Sequence, residues 1–431
     1  MSGSIPASTT PPFRARRWRV PPPLTRAGEL LEGTEVLTEV TGEAAVLLWK
    51  SLRTVTLWAS ASPQDQVMEL FAPGARQRRL AELLAADLDP ALSGPLEALT
   101  VLLDQPMRAR REAVALSCRQ VAQWAAAKGC ANTEVAFVQA AALACPADAE
   151  LALQVARLTR ALGEVARAES WCRRAIMLGR QAGNWNAYSR AFLILGIMAK
   201  DRGNYPVARR FDLKALRAST RHGSNEVRAM SLHELFVVSM ECDDASTAQS
   251  YAEQAFQAYG PSHPQARYLA QDLCVLWMRE GQFRRAFNVL GSLVEVFPED
   301  ERLLVAANLV RAAGGIADRN AYETAWARAV PLLEKLQSHG SIGISLLSLA
   351  RGSTGVGEWE RASTMAERAL SVATANKNGA LVFAAESVLA FAKSRRAVES
   401  NANRNANEPV EQEADRLASE MVSSFSALAT V

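Results

Sequence analysis

The chain has 431 residues, 49% of them hydrophobic and 22% charged, with 48 basic and 45 acidic side chains for a formal charge of +3. That length exceeds one ordinary domain, so two to three domains or a repeat array is expected. The near balance of charge argues against the large basic field of a nucleic-acid-binding surface, and the prevalence of Ala and Leu without long β-branched alternation points to an all-α fold.

The opening stretch "MSGSIPASTTPPFRARRWRVPPP" carries four arginines and a Trp with no apolar run behind them. It reads as neither a signal peptide nor a membrane start, and residues 1–24 are expected to be a flexible basic, Pro-rich tail. No stretch of eighteen uninterrupted apolar residues follows, so no membrane association is expected. Residues 25–107 read as a small N-terminal helical domain. Within it "GEAAVLLWKSLRTVTLWAS" predicts an amphipathic helix with Val46, Trp49, Leu52 (or Arg53) and Val55 or Thr56 near one stripe. "QRRLAELLAADL" and "PLEALTVLLDQ" follow after Pro/Gly breaks. No short Gly turn separates two clean helices there, which argues against a helix-turn-helix. Residues 108–148 predict a divergent helical pair.

From 149 to 398 one pattern returns in an array of about six units. Alanines stand at 168, 208, 248, 286 and 362, with Ala175, Ala215, Ala255, Leu293 and Ala369 seven residues further on. Five residues before the first Ala of each copy come Gly163, Gly203, Asp243, Gly281 and Gly357; twelve before it come Ala156, Gly196, Phe236, Cys274 and Ala350. Successive copies are 40, 40, 38 and then 76 residues apart, the last step spanning one irregular copy at 301–340 whose second helix is "AYETAWARAV", with Pro331 expected to kink it. Each unit reads as two antiparallel helices. The Gly or Asp closes the first helix where the chain turns, and the small residues let helices approach. Downstream, "ALVFAAESVLAFAKSRRAV" is expected to cap the array and residues 399–409 to be a polar linker. Residues 410–431 predict a C-terminal amphipathic helix with Val410, Ala414, Leu417, Met421 and Phe425 on one stripe, expected to dock on its own groove or on a second copy.

Little in the chain suggests catalysis. There is no phosphate-binding Gly loop, and "GSTGVGEW" at 352–359 is assigned to the turn between two helices. The six cysteines (118, 130, 145, 172, 242, 274) show no metal-ligand spacing and read as reduced thiols, four of them at apolar helix positions, in a reducing compartment. The histidines at 222, 233, 263 and 339 are scattered, and Asp243–Asp244 suits a turn. No enzyme activity, cofactor or metal is expected, and the protein is placed in the cytoplasm.

This fingerprint of small residue, Gly turn, aromatic and paired alanines resembles the tetratricopeptide repeat family; the Ala/Arg-rich usage suits a bacterial source. The resemblance implies a right-handed α-solenoid whose first helices line a concave groove that binds a peptide or partner protein. Carried over copy by copy, the family's groove positions fall on Leu153, Arg157 and Arg160; on Arg190, Leu193, Ile197 and Lys200; on His233, Val237, Met240 and Glu241; and on Tyr268, Gln271, Val275, Met278 and Arg279. Glu150, Asp201 and Glu241 are the main acids noted on that face, so an acidic segment with apolar anchors is the expected partner. Lys and Asn of the family's carboxylate clamp are not matched. Nucleic acid is not an expected partner, while the C-terminal helix offers a route to self-association. The alternative is a ligand- or peptide-sensing regulator whose N-terminal helical domain carries the output.

Overall fold

The computed structural model describes residues 33–61, 71–336, 340–396, 398 and 408–429. The expected N-terminal tail, nearly all of the polar linker, His339 and the Val410 side chain lie outside them. Among the described residues all regular secondary structure is helical. The chain divides into two compact units, Met1–Met198 and Ala199–Val431.

The first unit holds α1 (Val36–Glu39), α2 (Gly42–Ser60), α3 (Ala75–Ala85), α4 (Pro90–Leu99) with a 3-10 turn at Thr100–Leu103, α5 (Arg111–Ala127), α6 (Ala131–Ala144), α7 (Ala149–Ala161) and α8 (Val165–Ala182). It also holds most of α9 (Trp185–Asp201), whose last three residues belong to the second unit. Helices α5 and α6 form one antiparallel hairpin, α7 and α8 the next. Helix α2 packs on α6 and buries Ala45, Leu48, Leu52 and Val55, the three-four spacing of one helical stripe. Of the expected stripe Leu52 and Val55 are buried and Trp49 is half-buried, while Val46 is exposed and Ala45 takes its place. The other tryptophan, Trp58, is buried and donates its Nε1–H to the Pro106 carbonyl at 3.0 Å.

The small helix α1 is held by a carboxylate. Glu39 accepts four hydrogen bonds at the start of α6, from Asn132 N (2.8 Å), Asn132 Nδ2 (2.8 Å), Thr133 N (2.7 Å) and Thr133 Oγ1 (2.8 Å). Helix N-termini present unpaired N–H groups and a positive dipole end, so an acid from another element can serve as the cap. Burial works against the ionised form, yet the hydrogen bonds from Asn132 and Thr133 hold Glu39 below the usual glutamate range.

The second unit continues with α10 (Tyr205–His222), α11 (Asn225–Glu241), α12 (Ala245–Tyr259), α13 (Pro264–Arg279), α14 (Phe283–Leu293), α15 (Arg302–Gly315), α16 (Arg319–Lys335), α17 (Ile342–Gly355), α18 (Trp359–Ala375), α19 (Gly379–Lys393) and α20 (Glu408–Ala429). Hairpins pair α11 with α12, α13 with α14, α15 with α16 and α17 with α18. The repeated small positions are where helices meet: Ala168, Ala175, Ala208, Ala215, Ala248, Ala255, Ala286, Leu293, Ala362 and Ala369 are all 0% exposed. Ala208, for instance, packs with Ala199 and Val238. Gly163, Gly203, Gly281 and Gly357 close first helices with φ between 70° and 79°, and Asp243 takes the same left-handed conformation at 56°. Asp244 then caps α12 by accepting from Thr247 N at 3.2 Å. The described helices therefore form repeated hairpins with a tetratricopeptide-like fold.

The irregular copy obeys the same geometry under disguise. Ala317 supplies the left-handed turn residue (φ 56°), and Tyr322, fully buried, stands where other copies have Ala. Its hydroxyl pairs with Ser353 Oγ at 2.8 Å. Helix α16 runs through Pro331.

Helices α15 and α17 meet backbone to backbone. A Cβ built on Gly352 would lie 2.5 Å from the Val310 carbonyl oxygen, and one on Gly314 or Gly355 would overlap the facing glycine's backbone. This corrects the reading of "GSTGVGEW": Gly352 and Gly355 lie inside α17, and only Val356–Glu358 form the turn. Buried Asn308 accepts from Ser348 Oγ at 2.9 Å across the same contact.

Helix α20 docks on α14 and, at its edge, α12. It buries Ala414, Leu417, Ala418, Met421 and Phe425, with Phe425 meeting Phe256 edge to face at 6.2 Å between centroids. The docking face belongs to second helices of the same unit, α14 and α12, and not to that unit's first-helix groove positions.

Candidate functional site

The groove positions fall into two groups by unit. In the first, Arg157 is exposed, Arg160, Arg190 and Ile197 are half-buried and Leu193 is 2% exposed. Arg190 Nε donates to Asn186 Oδ1 at 3.3 Å, and the Arg157 charge lies near Glu134. In the second, Lys200, His233 and Val237 are half-buried, Arg279 is exposed, and Met240, Gln271 and Met278 are buried. Leu193, Met240, Gln271 and Met278 thus have almost no surface to offer a partner; they are packed between helices.

The polar groups of the second unit are joined across successive first helices. Lys200 Nζ at the end of α9 pairs with Glu234 of α11 at 2.6 Å. His233 Nε2 of α11 pairs with Asp272 of α13 at 3.1 Å. Glu241 of α11 receives Arg279 of α13 at 3.1 Å, and the Tyr268 hydroxyl of α13 donates to Glu301 just before α15. The partners lie 34, 39, 38 and 33 residues apart in the chain, close to one repeat period. The sequence reading placed Lys200, His233 and Arg279 on this face but missed Glu234 and Asp272, each one residue beyond a transferred position. With those acids counted, Lys200 and Arg279 face Glu234, Glu241 and Asp272, and the basic character expected of this stretch is cancelled.

Behind the Lys200–Glu234 pair lies Asp212 of α10, 1% exposed, with no hydrogen-bond partner for either carboxylate oxygen. Burial first, and then the neighbouring Glu234 charge, push its carboxyl up to about 8, with Lys200 opposing. Burial, Glu234 and Glu226 likewise raise the Tyr259 phenol. Tyr259 contacts the His233 ring edge-on and stacks on His263 at 4.8 Å. The result is a half-buried polar band in which one carboxyl is held protonated near neutral pH.

Nothing in this band arranges a nucleophile against a base. No group of three or more His, Cys, Asp or Glu suited to a metal ion occurs among the described residues. Cys118, Cys172 and Cys274 are buried, and burial pushes the thiols of Cys118 and Cys172 up to about 12 and that of Cys274 well above its usual value, which makes them poor nucleophiles. Cys130 and Cys145 are half-buried and Cys242 is exposed. Among the described residues no helix is long and apolar enough to cross a membrane.

No protein-family model matches the sequence, and no curated protein resembles it in sequence. Among solved structures the chain is similar to a Rap protein complexed with competence and sporulation factor, at 13% identity over 81% of this chain and 99% of that one, TM-score 0.45. It is similar to PilF of Pseudomonas aeruginosa at 15% identity over 64% and 98% of the two chains, TM-score 0.38. A signal-transduction ATPase with a tetratricopeptide repeat sensor from Pyrococcus horikoshii matches at 11% identity over 92% of this chain and 63% of that one, TM-score 0.49. Each is a likeness between helical chains; the repeat assignment above rests on the hairpins of this chain itself.

Proposed function

We propose that the protein is a non-enzymatic interaction module that holds a segment of a partner protein on the first-helix face of its repeats. The observation carrying this reading is the band of cross-helix polar pairs at Lys200–Glu234, His233–Asp272 and Glu241–Arg279. Polar pairs that are half-buried or exposed contribute little to stability compared with apolar packing of the same volume, so their use here suits recognition better than cohesion. Half-buried Val237, Val275 and Tyr259 lie among them and supply apolar anchor sites. Because Lys200 and Arg279 are already matched by carboxylates, we propose a partner segment of mixed charge with apolar anchors in place of a strongly acidic one.

The test is site-specific photo-crosslinking in cells. A photoreactive side chain at Val237 or Val275 should yield adducts with one and the same protein, and the same group at exposed Arg210 on α10 should not. Adducts that are equal from all three positions, or absent from Val237 and Val275, would move the binding surface off this face. Reversal of Lys200 is a poor alternative, since Lys200→Glu would leave a third carboxyl beside Glu234 and buried Asp212 and would disturb folding together with binding.

A further inference from the structure

The contact between α20 and the second helices α12 and α14 has the character of a bound ligand. Two ion pairs flank its apolar stripe: Arg285–Asp415 and Glu253–Arg416, both at 2.7 Å. In each, the member on the repeat is nearly buried (Arg285 10%, Glu253 13% exposed) and the member on α20 is open to water (70% and 69%). The receiving surface therefore presents one nearly buried cation and one nearly buried anion beside an apolar floor that includes Phe256, and the incoming helix brings solvent-exposed complements. We propose that this surface is a helix-docking site at which α20 of a second copy of the chain replaces the chain's own α20.

Three observations favour exchange over a permanent joint. The seam is not closed: beside α20 runs an open cleft of about 840 Å³, lined by Phe283, Phe287 and Gly291 on α14 and by Ser419 and Val422 on α20. Contacts missing along that cleft are dispersion energy the docked helix does not gain. The seam also sets two carboxyls together, Glu413 of α20 beside Glu253; burial, then a hydrogen bond and charge from Glu413, raise the Glu253 carboxyl while Arg416 opposes them, so the contact is favourable only while the pair keeps a proton. Finally, the joining sequence "ESNANRNANEP" has no large apolar residue to anchor it, and a second copy offers the identical stripe and charges. Exchange of an identical element needs no new interface chemistry.

Full-length charge-reversed chains test this. One carries Glu253→Arg and Arg285→Asp in the docking surface; the other carries Asp415→Arg and Arg416→Glu in the helix. Alone, each mismatches itself both within and between chains and should remain monomeric by light scattering. Mixed, the native helix of the first finds the native surface of the second, and a one-to-one complex should appear; the chain with all four reversals should behave as wild type. A mixture that gives only the sum of the separate profiles overturns the proposal. A labelled peptide of residues 408–431 guards against loss of folding as an explanation. It should bind the helix-reversed chain about tenfold or more tighter than wild type, whose own α20 competes for the surface. Binding to neither chain overturns the docking site. Peptide binding without any complex between the two chains overturns the second copy as occupant.

Discussion

Two helix joints of the second unit are built on opposite principles. At α15–α17 glycines bring backbones into contact, and buried Asn308 meets Ser348 across the joint, while Tyr322 of the neighbouring α16 meets Ser353 of α17. At α14–α20 side chains do the work, ion pairs with one nearly buried and one exposed member mark the edges, and a cleft stays open alongside. A joint whose polar groups are internally satisfied and whose surfaces admit no extra atom has one arrangement. One held by a five-residue stripe and screened charges can open without disturbing the rest. The difference separates the part of the unit that defines its shape from the part that can respond.

The strongest way to break the rigid joint is Gly352→Leu, which forces a side chain against the Val310 carbonyl. A loss of about 3 kcal/mol or more is expected from such overpacking, read as a lower urea midpoint for the whole unit. The docked joint should break locally: Phe425→Ala should weaken α20 attachment by about 3 kcal/mol, seen as lost hydrogen-exchange protection in α20 with α15 and α17 unchanged. If α15 and α17 lose protection as well, the two joints are not separable.

Asp212 sharpens the contrast, because it is a buried polar group without the partners that Asn308 has. Its folded carboxyl titrates near 8, whereas an unfolded aspartate titrates near 4. Between those values the folded chain binds the extra proton, so this residue's contribution to stability falls as pH rises from about 4 to 8. Asp212→Asn should therefore stabilise, by about 1–3 kcal/mol at pH 8 and by less at pH 5, in paired thermal melts. An equal gain at both pH values would mean that the carboxyl is ionised throughout. The smallest effect belongs to the open edge of α20: Asp415→Asn should cost no more than about 1 kcal/mol and the difference should vanish in high salt. A larger, salt-resistant loss would make that ion pair a structural clamp.

The repeat architecture was legible because helix-crossing sites demand small side chains, and all ten positions singled out by spacing proved fully buried. The irregular copy was only half legible, since Tyr322 fills an alanine site by sending its hydroxyl to a serine on the next helix, and no spacing rule anticipates that partner. The groove reading counted Glu150, Asp201 and Glu241 but missed two further acids. Glu234 and Asp272 lie one step off the transferred positions, and a helix turns about 100° per residue, but long side chains reach across from neighbouring helices. Gly352 and Gly355 of α17 were mistaken for a turn because glycine signals both a bend and a close approach. The Glu39 cap on α6 joins residues more than 90 apart in sequence, a relation no local pattern contains.

The turns between first and second helices carry a consequence for descent. Asp243 and Ala317 hold the same left-handed bend that Gly163, Gly203, Gly281 and Gly357 hold, at a strain of about 1–2 kcal/mol each. A repeat can thus lose its most recognisable letter for the cost of a single mild substitution, while the buried contacts on either side keep the bend in place. Lineages built this way should drift out of mutual recognition by sequence well before their hairpins change shape, and the glycine spacing will be the first mark to erode.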